Sequence, residues 1–387
     1  MTTAKKRVMV VFGTRPEAIK VAPVVLALQR AEDLEPIVVV TGQHRSMLDQ
    51  VLEVFGITPH VDLEIIQPGQ TLGDITCRVL QGLAPVLERE RPDLVMVQGD
   101  TTTTFAGALA AFYAGVPVAH LEAGLRTGDR TSPFPEEINR RLTTGLAELH
   151  LAPTATSRAN LLAESVDENS VLVTGNTVID ALLDAVERPV DYGDPALADL
   201  DLDPRRVLLV TAHRRESWGS GMASIGKALA SLARSEPDLL IVFPIHKNPV
   251  VRDAIVPQLA GLDNALVIEP LGYGGFARLM RRSHLILTDS GGVQEEGPSL
   301  GKPVLVMRDT TERPEAVGAG TVRLVGTEAG VIVDEVTMLL HDEHAYAAMA
   351  GAVNPYGDGQ AARRTIEAVR HLFGTGPRPD EFVPHAP

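Results

Sequence analysis

The chain has 387 residues, of which 44% are hydrophobic and 22% charged, and its formal net charge is −15 at pH 7. This composition is typical of a soluble globular protein that is long enough for two domains with their own cores. The acidic balance argues against a nucleic-acid partner, because a phosphate backbone would be repelled over most of the surface. A small anionic ligand remains compatible with this charge, since it needs only a local cluster of donors.

The apolar segments are too short for membrane insertion. No apolar run approaches the roughly 20 residues that a membrane helix needs, so we expect no membrane partner. The start of the chain does not fit a signal peptide, because its apolar run covers only residues 8–12 and no small-residue cleavage site follows. We therefore expect a cytoplasmic protein. The single Cys77 fits a reducing compartment, and its place in a predicted helix favours a buried, inert thiol.

Apolar, β-branched segments alternate with amphipathic helical patterns along the chain. Continuous apolar strands separated by helices are typical of parallel sheets that are buried on both faces. In the first half of the chain the predicted strands are 8–12, 37–41, 94–98 and 116–120. A segment rich in Asp and Pro follows at 187–206. In the second half the predicted strands are 207–211, 239–244, 266–268, 285–288 and 304–307.

We therefore predict an α/β protein with two Rossmann-like, doubly wound domains joined by that segment. The predicted N-terminal domain spans 1–180 and the predicted C-terminal domain 200–358. An amphipathic helix at 359–375 and a flexible tail at 376–387 follow. In such sheets ligands bind outside the carboxyl ends of the strands, so the residues just after each strand are the candidates for function.

Charged residues follow several strands of the first domain. "VVFGTRPEAIK" places Arg15 at a helix start and Lys20 a turn further on, which fits either a phosphate site or an ordinary helix start with a solvated Arg. Asp100 follows a buried strand and is either a helix N-cap or a cleft carboxylate. Glu122 has no evident capping role, which favours a functional one. Glu136 begins a charged helix, where dipole compensation is the alternative.

The second domain has cationic residues at its strand ends. His213 follows a buried strand in "TAHRRES" beside Arg214, which favours a phosphate ligand or an acid. His246 follows the next strand. Nothing in the sequence has the spacing of metal ligands, and neither a Walker loop nor a GxSxG motif occurs, so we expect no metal.

The segment "LTDSGGVQEE" combines an anion site with acidic residues. Ser290, Gly291 and Gly292 form a helix start suited to an anion, because its backbone N–H groups are free to donate. Glu295 and Glu296 follow within about one turn, where a bare phosphate would be repelled.

With these motifs in hand, the chain closely resembles the non-hydrolysing UDP-N-acetylglucosamine 2-epimerases. The resemblance runs through "VFGTRPEAIK", "VQGDTTTT", "HLEAGLRTGD", "FPEEINRR", "TAHRRES" and "LTDSGGVQEE", and it covers nearly the whole chain in the family's order. It implies two domains of GT-B type with the active site in the cleft between them. It also implies a C-terminal helix that crosses back onto the N-terminal domain, and a homodimer.

The resemblance implies a reversible C2 epimerisation of UDP-GlcNAc to UDP-ManNAc. The family eliminates UDP to give 2-acetamidoglucal and then adds UDP back, which needs no redox cofactor because no ketone forms. Glu296 would accept hydrogen bonds from the ribose, Phe276 would stack on the uracil unless it is a core aromatic, and Glu295 would only compensate the helix dipole. The implied catalytic residues are Asp100, Glu122, Glu136 and His213, and the implied substrate contacts are Arg15, Lys20, Phe276, Ser290, Gly291, Gly292, Glu296 and Arg313.

Bacterial members of this family often have a second, allosteric UDP-GlcNAc site. Of the residues it uses, Gln43, Arg214 and His246 are present here. The site also uses a polar residue at the position where this chain has Ser46, and an Arg at the position where this chain has Gly69. Because the Gly removes a charged contact, we expect substrate activation to be weakened or absent.

Three other functions share parts of this pattern. A hydrolysing 2-epimerase would release UDP and free ManNAc after the same elimination. A GT-B glycosyltransferase would share the nucleotide site, but the number of strand-end carboxylates argues against it. A catalytically silent nucleotide-sugar sensor would not need the full set of Asp100, Glu122, Glu136 and His213.

Overall fold

The structure is a computed structural model that describes residues 5–42 and 45–384. The chain divides into two compact units. Unit 1 comprises Met1–Ala181 with Tyr356–Val383, and unit 2 comprises Leu182–Pro355 with Pro384–Pro387.

Unit 1 is built on a parallel sheet. Its strands are β1 (Lys6–Phe12), β2 (Leu34–Val40), β3 (Val61–Asp62), β4 (Leu94–Gln98), β5 (Val118–Leu121), β6 (Leu149–Ala152) and β7 (Val171–Val173). Its helices are α1 (Arg15–Arg30), α2 (Arg45–Phe55), α3 (Leu72–Glu90), α4 (Thr102–Tyr113), α5 (Glu136–Thr144), α6 (Ala155–Ala163) and α7 (Thr177–Glu187), the last of which continues into unit 2. In the described residues the strand order is β3-β2-β1-β4-β5-β6-β7.

The central strand β1 is buried on both faces. Met9 and Val11 belong to a core cluster with α3 and α4, while Val8 and Val10 of the opposite face are also fully buried. Helix α4 approaches the sheet closely, because a Cβ at Gly107 would lie 3.4 Å from the Val11 side chain. The continuous apolar run of β1 therefore follows from its position between two helical layers.

Unit 2 repeats this architecture. Its strands are β8 (Arg206–Thr211), β9 (Leu239–Pro244), β10 (Ala265–Ile268), β11 (Leu285–Thr288), β12 (Val304–Val306) and β13 (Val322–Leu324). Its helices are α8 (Ser220–Ser235), α9 (Pro249–Leu259), α10 (Tyr273–Arg282), α11 (Gly291–Glu296), α12 (Pro314–Gly318), α13 (Ala329–His341) and α14 (Glu343–Ala350). The strand order is β10-β9-β8-β11-β12-β13 among the described residues, and its pairs are parallel. The prediction of two Rossmann-like, doubly wound α/β domains is confirmed.

Each sheet has a point where the strand order reverses. In unit 1 this point lies between β1 and β4, and in unit 2 it lies between β8 and β11. The loops that follow such a strand pair turn away to opposite sides and leave a crevice at the carboxyl edge of the sheet. The motifs around Arg15 and Asp100 follow β1 and β4, whereas those around His213 and Ser290 follow β8 and β11.

The segment rich in Asp and Pro packs onto α10 of unit 2. A Cβ at Gly275 would lie 2.3 Å from the carbonyl oxygen of Tyr192, so only glycine allows this approach. The Arg278 guanidinium stacks 4.3 Å over the Tyr192 ring and also pairs with Asp201. The segment is therefore a packed part of unit 2.

The C-terminal helix α15 (Ala361–Leu372) belongs to unit 1. The carboxylate of Asp180 caps it by accepting hydrogen bonds from the Ala361 and Ala362 N–H groups at 3.1 and 2.8 Å. Arg370 in its last turn pairs with Asp33 at 2.6 Å.

The part of the predicted tail that is described, 376–384, differs from the expected flexible segment. The Phe382 N–H donates to the Val173 carbonyl at 2.8 Å, and Arg378 donates to the Asn169 carbonyl at 2.8 Å. These contacts lie at the edge strand β7 and just before it, where unpaired backbone groups attract a further segment.

Two further properties bear on the sequence expectations. Cys77 is exposed on α3, so the expectation of a buried thiol is wrong. None of the helices in the described ranges has the length and apolar character needed to cross a bilayer.

Candidate active site

Glu17 ties the loops after β1 and β4 together. Its carboxylate accepts hydrogen bonds from the Gly13 and Thr14 N–H groups at 3.0 and 2.7 Å, and from the Thr101 and Thr104 hydroxyls at 2.7 and 3.1 Å. Burial raises the pKa of Glu17, while these hydrogen bonds oppose the rise. The sequence analysis missed this residue, although Thr14 and Glu17 have the spacing of a capping box.

Glu122 follows β5 in a left-handed backbone conformation, with φ of 61°. Such a conformation is strained for a residue with a side chain and is often found at functional sites. The Lys20 ammonium lies 2.5 and 2.7 Å from the two carboxylate oxygens. Gln98 donates to one oxygen at 2.6 Å and Asn176 to the other at 3.1 Å. Glu122 is thus a nearly buried carboxylate, held from three directions, with 8% of its side chain exposed.

Asp100 is paired with Arg140 from the first turns of α5. The guanidinium contacts the Asp100 carboxylate at 2.7 Å, and Asn139 donates to the Asp100 carbonyl at 2.9 Å. The N-cap of α4 is Thr101, so the alternative in which Asp100 caps this helix is wrong. Asp100 therefore lies beside α5, and 27% of its side chain is exposed.

The two adjacent glutamates that begin α5 have different surroundings. Glu137 is fully buried and accepts hydrogen bonds from the Thr127 N–H at 3.0 Å and from Arg140 at 3.2 Å. Burial would raise the pKa of Glu137, but these hydrogen bonds outweigh it and lower the pKa. Glu136 has a buried carboxylate oxygen, Oε2, with no hydrogen-bond partner among the described residues. Glu137 thus holds the preceding loop in place. The Oε2 of Glu136 has no hydrogen-bond partner among the described residues.

Arg15 is exposed as the first residue of α1. It forms no ion pair within the described ranges. Arg15 is therefore a cation at a helix N-terminus, where backbone N–H groups also favour an anion.

In unit 2, Asp289 orients His213. The His213 Nδ1 lies 2.9 Å from one Asp289 oxygen, and the N–H groups of His213 and Arg214 donate to the other at 2.6 and 2.7 Å. Asp289 is fully buried, and these contacts lower its pKa against the opposing effect of burial. Because Nδ1 faces Asp289, the Nε2 of His213 is the nitrogen left for a ligand.

The sequence analysis did not select Asp289 as a functional residue. Its position directly after a strand was a usable signal. The partners lie side by side because β8 and β11 are parallel neighbours, with Thr211 opposite Thr288.

The residues assigned to a second site lie partly beside His213. The rings of His213 and His246 stack with centroids 5.9 Å apart, and burial together with His213 lowers the pKa of His246. Arg214 lies 3.7 Å from Glu312 and 3.6 Å from the position of a Cβ at Gly291. Arg214 is therefore close to the start of α11. Gln43 lies outside the described residues, and so does the side chain of Ser46.

Helix α11 places its glutamates in two different settings. Ser290 is the N-cap, and the Glu296 carboxylate turns back so that Oε2 would lie 3.5 Å from a Cβ at Gly292. Glu295 is buried and pairs with Arg313. The expectation that Glu295 only compensates the dipole is therefore wrong, because it holds Arg313 in place.

The aromatic residues of α10 differ in burial. Tyr273 is buried, and burial together with the nearby Glu296 carboxylate raises its pKa well above the ordinary value. Phe276 is half-buried. Part of the Phe276 ring thus remains accessible to a stacking partner.

A family model described as UDP-N-acetylglucosamine 2-epimerase matches residues 26–370. The chain belongs to the UDP-N-acetylglucosamine 2-epimerase family. This confirms the family that the motifs indicated.

Several relatives of the epimerase family match nearly the whole chain. The UDP-N-acetylglucosamine 2-epimerase of Escherichia coli strain K12 is 57% identical over 371 residues, which cover 94% of this chain and 98% of the relative. The crystal structure of the Neisseria meningitidis enzyme bound to UDP-GlcNAc is 50% identical with a TM-score of 0.83, covering 94% of this chain and 100% of that one. The Methanocaldococcus jannaschii enzyme in complex with UDP-GlcNAc and UDP is 33% identical with a TM-score of 0.74, covering 94% and 99%.

The two units of this epimerase family member have different functional side chains. Unit 1 brings acidic side chains and their cationic partners together at the carboxyl edge of its sheet, whereas unit 2 brings cationic groups to the start of α11. In the part of the chain that the structure describes, no group of three or more His, Cys, Asp or Glu side chains could hold a metal ion. The arrangement suits proton transfer by carboxylates and binding of an anion by arginine, histidine and backbone N–H groups.

Proposed function

We propose that this protein interconverts UDP-GlcNAc and UDP-ManNAc by inverting C2 of the sugar. The family match over residues 26–370, together with the presence of Asp100, Glu122, Glu136 and His213, carries this proposal. The hydrogen at C2 is not acidic, so direct deprotonation is unfavourable. Elimination followed by re-addition avoids this difficulty: the C2–H and C1–O bonds break, UDP leaves with the electron pair of the C1–O bond, and a C1–C2 double bond forms.

Unit 2 binds the UDP in this proposal. His213 is oriented by Asp289 so that Nε2 can face the diphosphate. The Gly291 and Gly292 N–H groups supply further donors. Donors that are already in place stabilise the charge that develops on the leaving diphosphate. Arg15 and Arg313 are further proposed phosphate contacts.

The nucleoside lies along α11 and α10. The Glu296 carboxylate accepts hydrogen bonds from the ribose hydroxyls, and Phe276 stacks on the uracil. The half-buried ring of Phe276 and the return of Glu296 towards Gly292 support these roles.

The carboxylates of unit 1 move the C2 proton. Glu136 Oε2, which has no described partner, is the proposed proton acceptor, and its buried position supports this role. Asp100 and Glu122 serve the opposite face and the sugar hydroxyls, with their charges balanced by Arg140 and Lys20. Two carboxylate groups are needed because the proton is removed from one face of C2 and returned to the other.

The homodimer that the resemblance implies and the cytoplasmic location expected from the sequence are part of this proposal. A cytoplasmic location is consistent with a nucleotide-sugar substrate. Light scattering coupled to size exclusion measures the assembly, and a mass of about 83 kDa, or twice 41.4 kDa, would support the dimer.

Incubation with UDP-GlcNAc in D2O, followed by NMR, tests the proposed function. We expect UDP-ManNAc with deuterium at C2. Free ManNAc with UDP would instead support the hydrolysing reaction, and sugar transfer without exchange at C2 would support a glycosyltransferase. Binding of UDP-GlcNAc without any exchange would indicate a sensor and overturn the proposal.

A further inference from the structure

A short loop after β7 connects the C-terminal segment of the chain to Glu122. This loop covers residues 174–176. The Asn176 Nδ2 donates to the Glu122 Oε1 at 3.1 Å, while its Oδ1 accepts from the Val178 N–H at 3.1 Å. Both ends of the Asn176 amide are therefore engaged, which fixes the direction of its N–H towards the carboxylate.

Residues that return from the end of the chain hold this loop. The Asn176 N–H donates to the Tyr356 carbonyl at 2.6 Å. Arg364 donates to the Thr174 carbonyl at 3.2 Å, and its guanidinium is itself held by the Asp358 carboxylate at 2.7 and 2.8 Å. The loop is thus fastened at both ends by groups more than 170 positions away in the chain.

Phe382 also packs against the 174–176 loop. Its side chain is buried, its ring lies 5.5 Å from the Arg364 guanidinium, and its N–H donates to the Val173 carbonyl at 2.8 Å. Gly175 has a φ of 83°, and a Cβ there would lie 3.6 Å from the Phe382 ring. We call Tyr356, Asp358, Arg364 and Phe382 the C-terminal clamp.

We propose that Asn176 is a positioning residue for Glu122 and that the C-terminal clamp sets the position of Asn176. This inference rests on the proposed function for its catalytic consequence. Glu122 has a strained backbone, and its side chain is placed by Lys20, Gln98 and Asn176. Asn176 in turn lies in a loop that residues from the end of the chain hold. In this proposal Phe382, from the segment predicted as a flexible tail, is part of the support of the active site.

The first test compares Asn176→Ala with wild type. We expect kcat for epimerisation to fall about 10-fold to 100-fold, because misplacement of a reacting group by about 1 Å can cost a factor of that size. KM should change less than kcat, and UDP binding measured by calorimetry should stay within about 2-fold, because the UDP contacts proposed in unit 2 are untouched. A kcat within about 2-fold of wild type in the folded variant would overturn the proposal.

The second test separates positioning from general damage to the fold. Phe382→Ala should lower kcat, and it should lower kcat little further when Asn176→Ala is already present. The matched control is Val383→Ala, since Val383 is 54% exposed and should leave kcat unchanged. Equal losses from Phe382→Ala in both backgrounds would contradict the clamp. Phe382→Leu, which keeps an apolar side chain, should recover part of the lost kcat.

Hydrogen–deuterium exchange tests the clamp without relying on catalysis. In Phe382→Ala we expect faster exchange at residues 174–176 and around Glu122, with exchange in unit 2 unchanged. Unchanged exchange at 174–176 would overturn the clamp even if the enzyme is active. If the wild-type protein is inactive but hydrogen–deuterium exchange at 174–176 is faster in Phe382→Ala, the proposed function is wrong. The structural role of the clamp would then still be supported.

Discussion

The Lys20 ammonium contacts both carboxylate oxygens of Glu122, at 2.5 and 2.7 Å, and the exposed fractions of the two side chains are 19% and 8%. An ion pair with so little exposure is weakly screened by water or salt. Removal of one partner leaves the other charge buried and unpaired, which costs more than the pair itself contributes.

We expect Lys20→Met to destabilise unit 1 by about 3 kcal/mol, in the range observed when one partner of a buried pair is removed. The double variant Lys20→Met with Glu122→Gln should regain most of this stability, because no unpaired charge is left. Neither the single nor the double variant should have epimerase activity. Chemical denaturation and the C2 exchange assay measure the two properties. A double variant as unstable as the single one would show that the pair does not govern stability.

Asp289→Asn tests the orientation of His213. The substitution keeps the size of the side chain but removes the charge and one acceptor for the His213 and Arg214 N–H groups. We expect kcat to fall about 100-fold or more, as is usual for loss of a well-placed acid–base or electrostatic group.

Asp289 also predicts how stability depends on pH. Its pKa in the folded protein is below the ordinary value of 3.8, so its contribution is present above about pH 4 and is lost as pH falls through the folded-state pKa. The acid limb of the stability curve should therefore be shallower in Asp289→Asn. Identical acid limbs in the two proteins would contradict this assignment.

Several buried strands were predictable because a continuous apolar run is a local signal. The apolar run predicted at 285–288 corresponds to β11, and that at 8–12 to β1. The sequence analysis missed β3, β6, β7 and β13. A polar residue interrupts the apolar run in three of them, namely Asp62 in β3, His150 in β6 and Arg323 in β13.

The site was predictable only in part, for a related reason. Asp100, Glu122 and His213 are recognisable because each follows a strand. The partners that hold them, such as Gln98, Asn176 and Arg140, depend on which strand ends and helices become neighbours in space. The Asp289 contact requires β8 and β11 to be adjacent, and the order β10-β9-β8-β11 cannot be read from strand positions alone.

Asp180 predicts a second dependence of stability on pH, of opposite sign. Burial raises its pKa to about 6 from an ordinary value of 3.8. The folded state therefore binds more protons than the unfolded state between these values, so the contribution of Asp180 is full below about pH 4 and is lost as pH rises through 6. A shift of this size corresponds to about 3 kcal/mol.

Asp180→Asn removes this titration while it keeps an acceptor for the start of α15. The stability of wild type relative to the variant should fall by about 3 kcal/mol between pH 4 and pH 7, measured by urea denaturation. A constant difference across this pH range would mean that Asp180 does not titrate in it.

Gly69 predicts the kinetic behaviour of the wild-type enzyme. Its φ is 72°, a conformation that suits glycine, and apart from its chain neighbours no heavy atom of the described residues lies within 4 Å of the position of a Cβ. The family resemblance implies an Arg contact to a second UDP-GlcNAc at this position, and Gly69 cannot supply it. We expect hyperbolic kinetics with UDP-ManNAc as substrate. Sigmoidal kinetics that trace UDP-GlcNAc abolishes would show that a second site operates without this Arg.

Glu136 and Glu137 form a matched pair for separating catalysis from stability. They are adjacent at the start of α5 and chemically identical, but Glu137 is fully buried among N–H groups and arginines, whereas Glu136 has an oxygen without a described partner. Glu136→Gln should therefore abolish C2 exchange, with a loss of about 100-fold or more, and should change the free energy of unfolding by less than about 1 kcal/mol.

Glu137→Gln should reduce stability more than it reduces C2 exchange. It leaves Arg140 and Arg141 without their buried carboxylate, so we expect a loss of about 3 kcal/mol in stability. Activity should fall less than in Glu136→Gln when both are assayed well below their unfolding temperatures. Some loss is expected because Arg140 also contacts Asp100 at 2.7 Å. If Glu137→Gln abolishes exchange while Glu136→Gln retains it, the proton acceptor is the buried glutamate, and the role proposed for Glu136 is wrong.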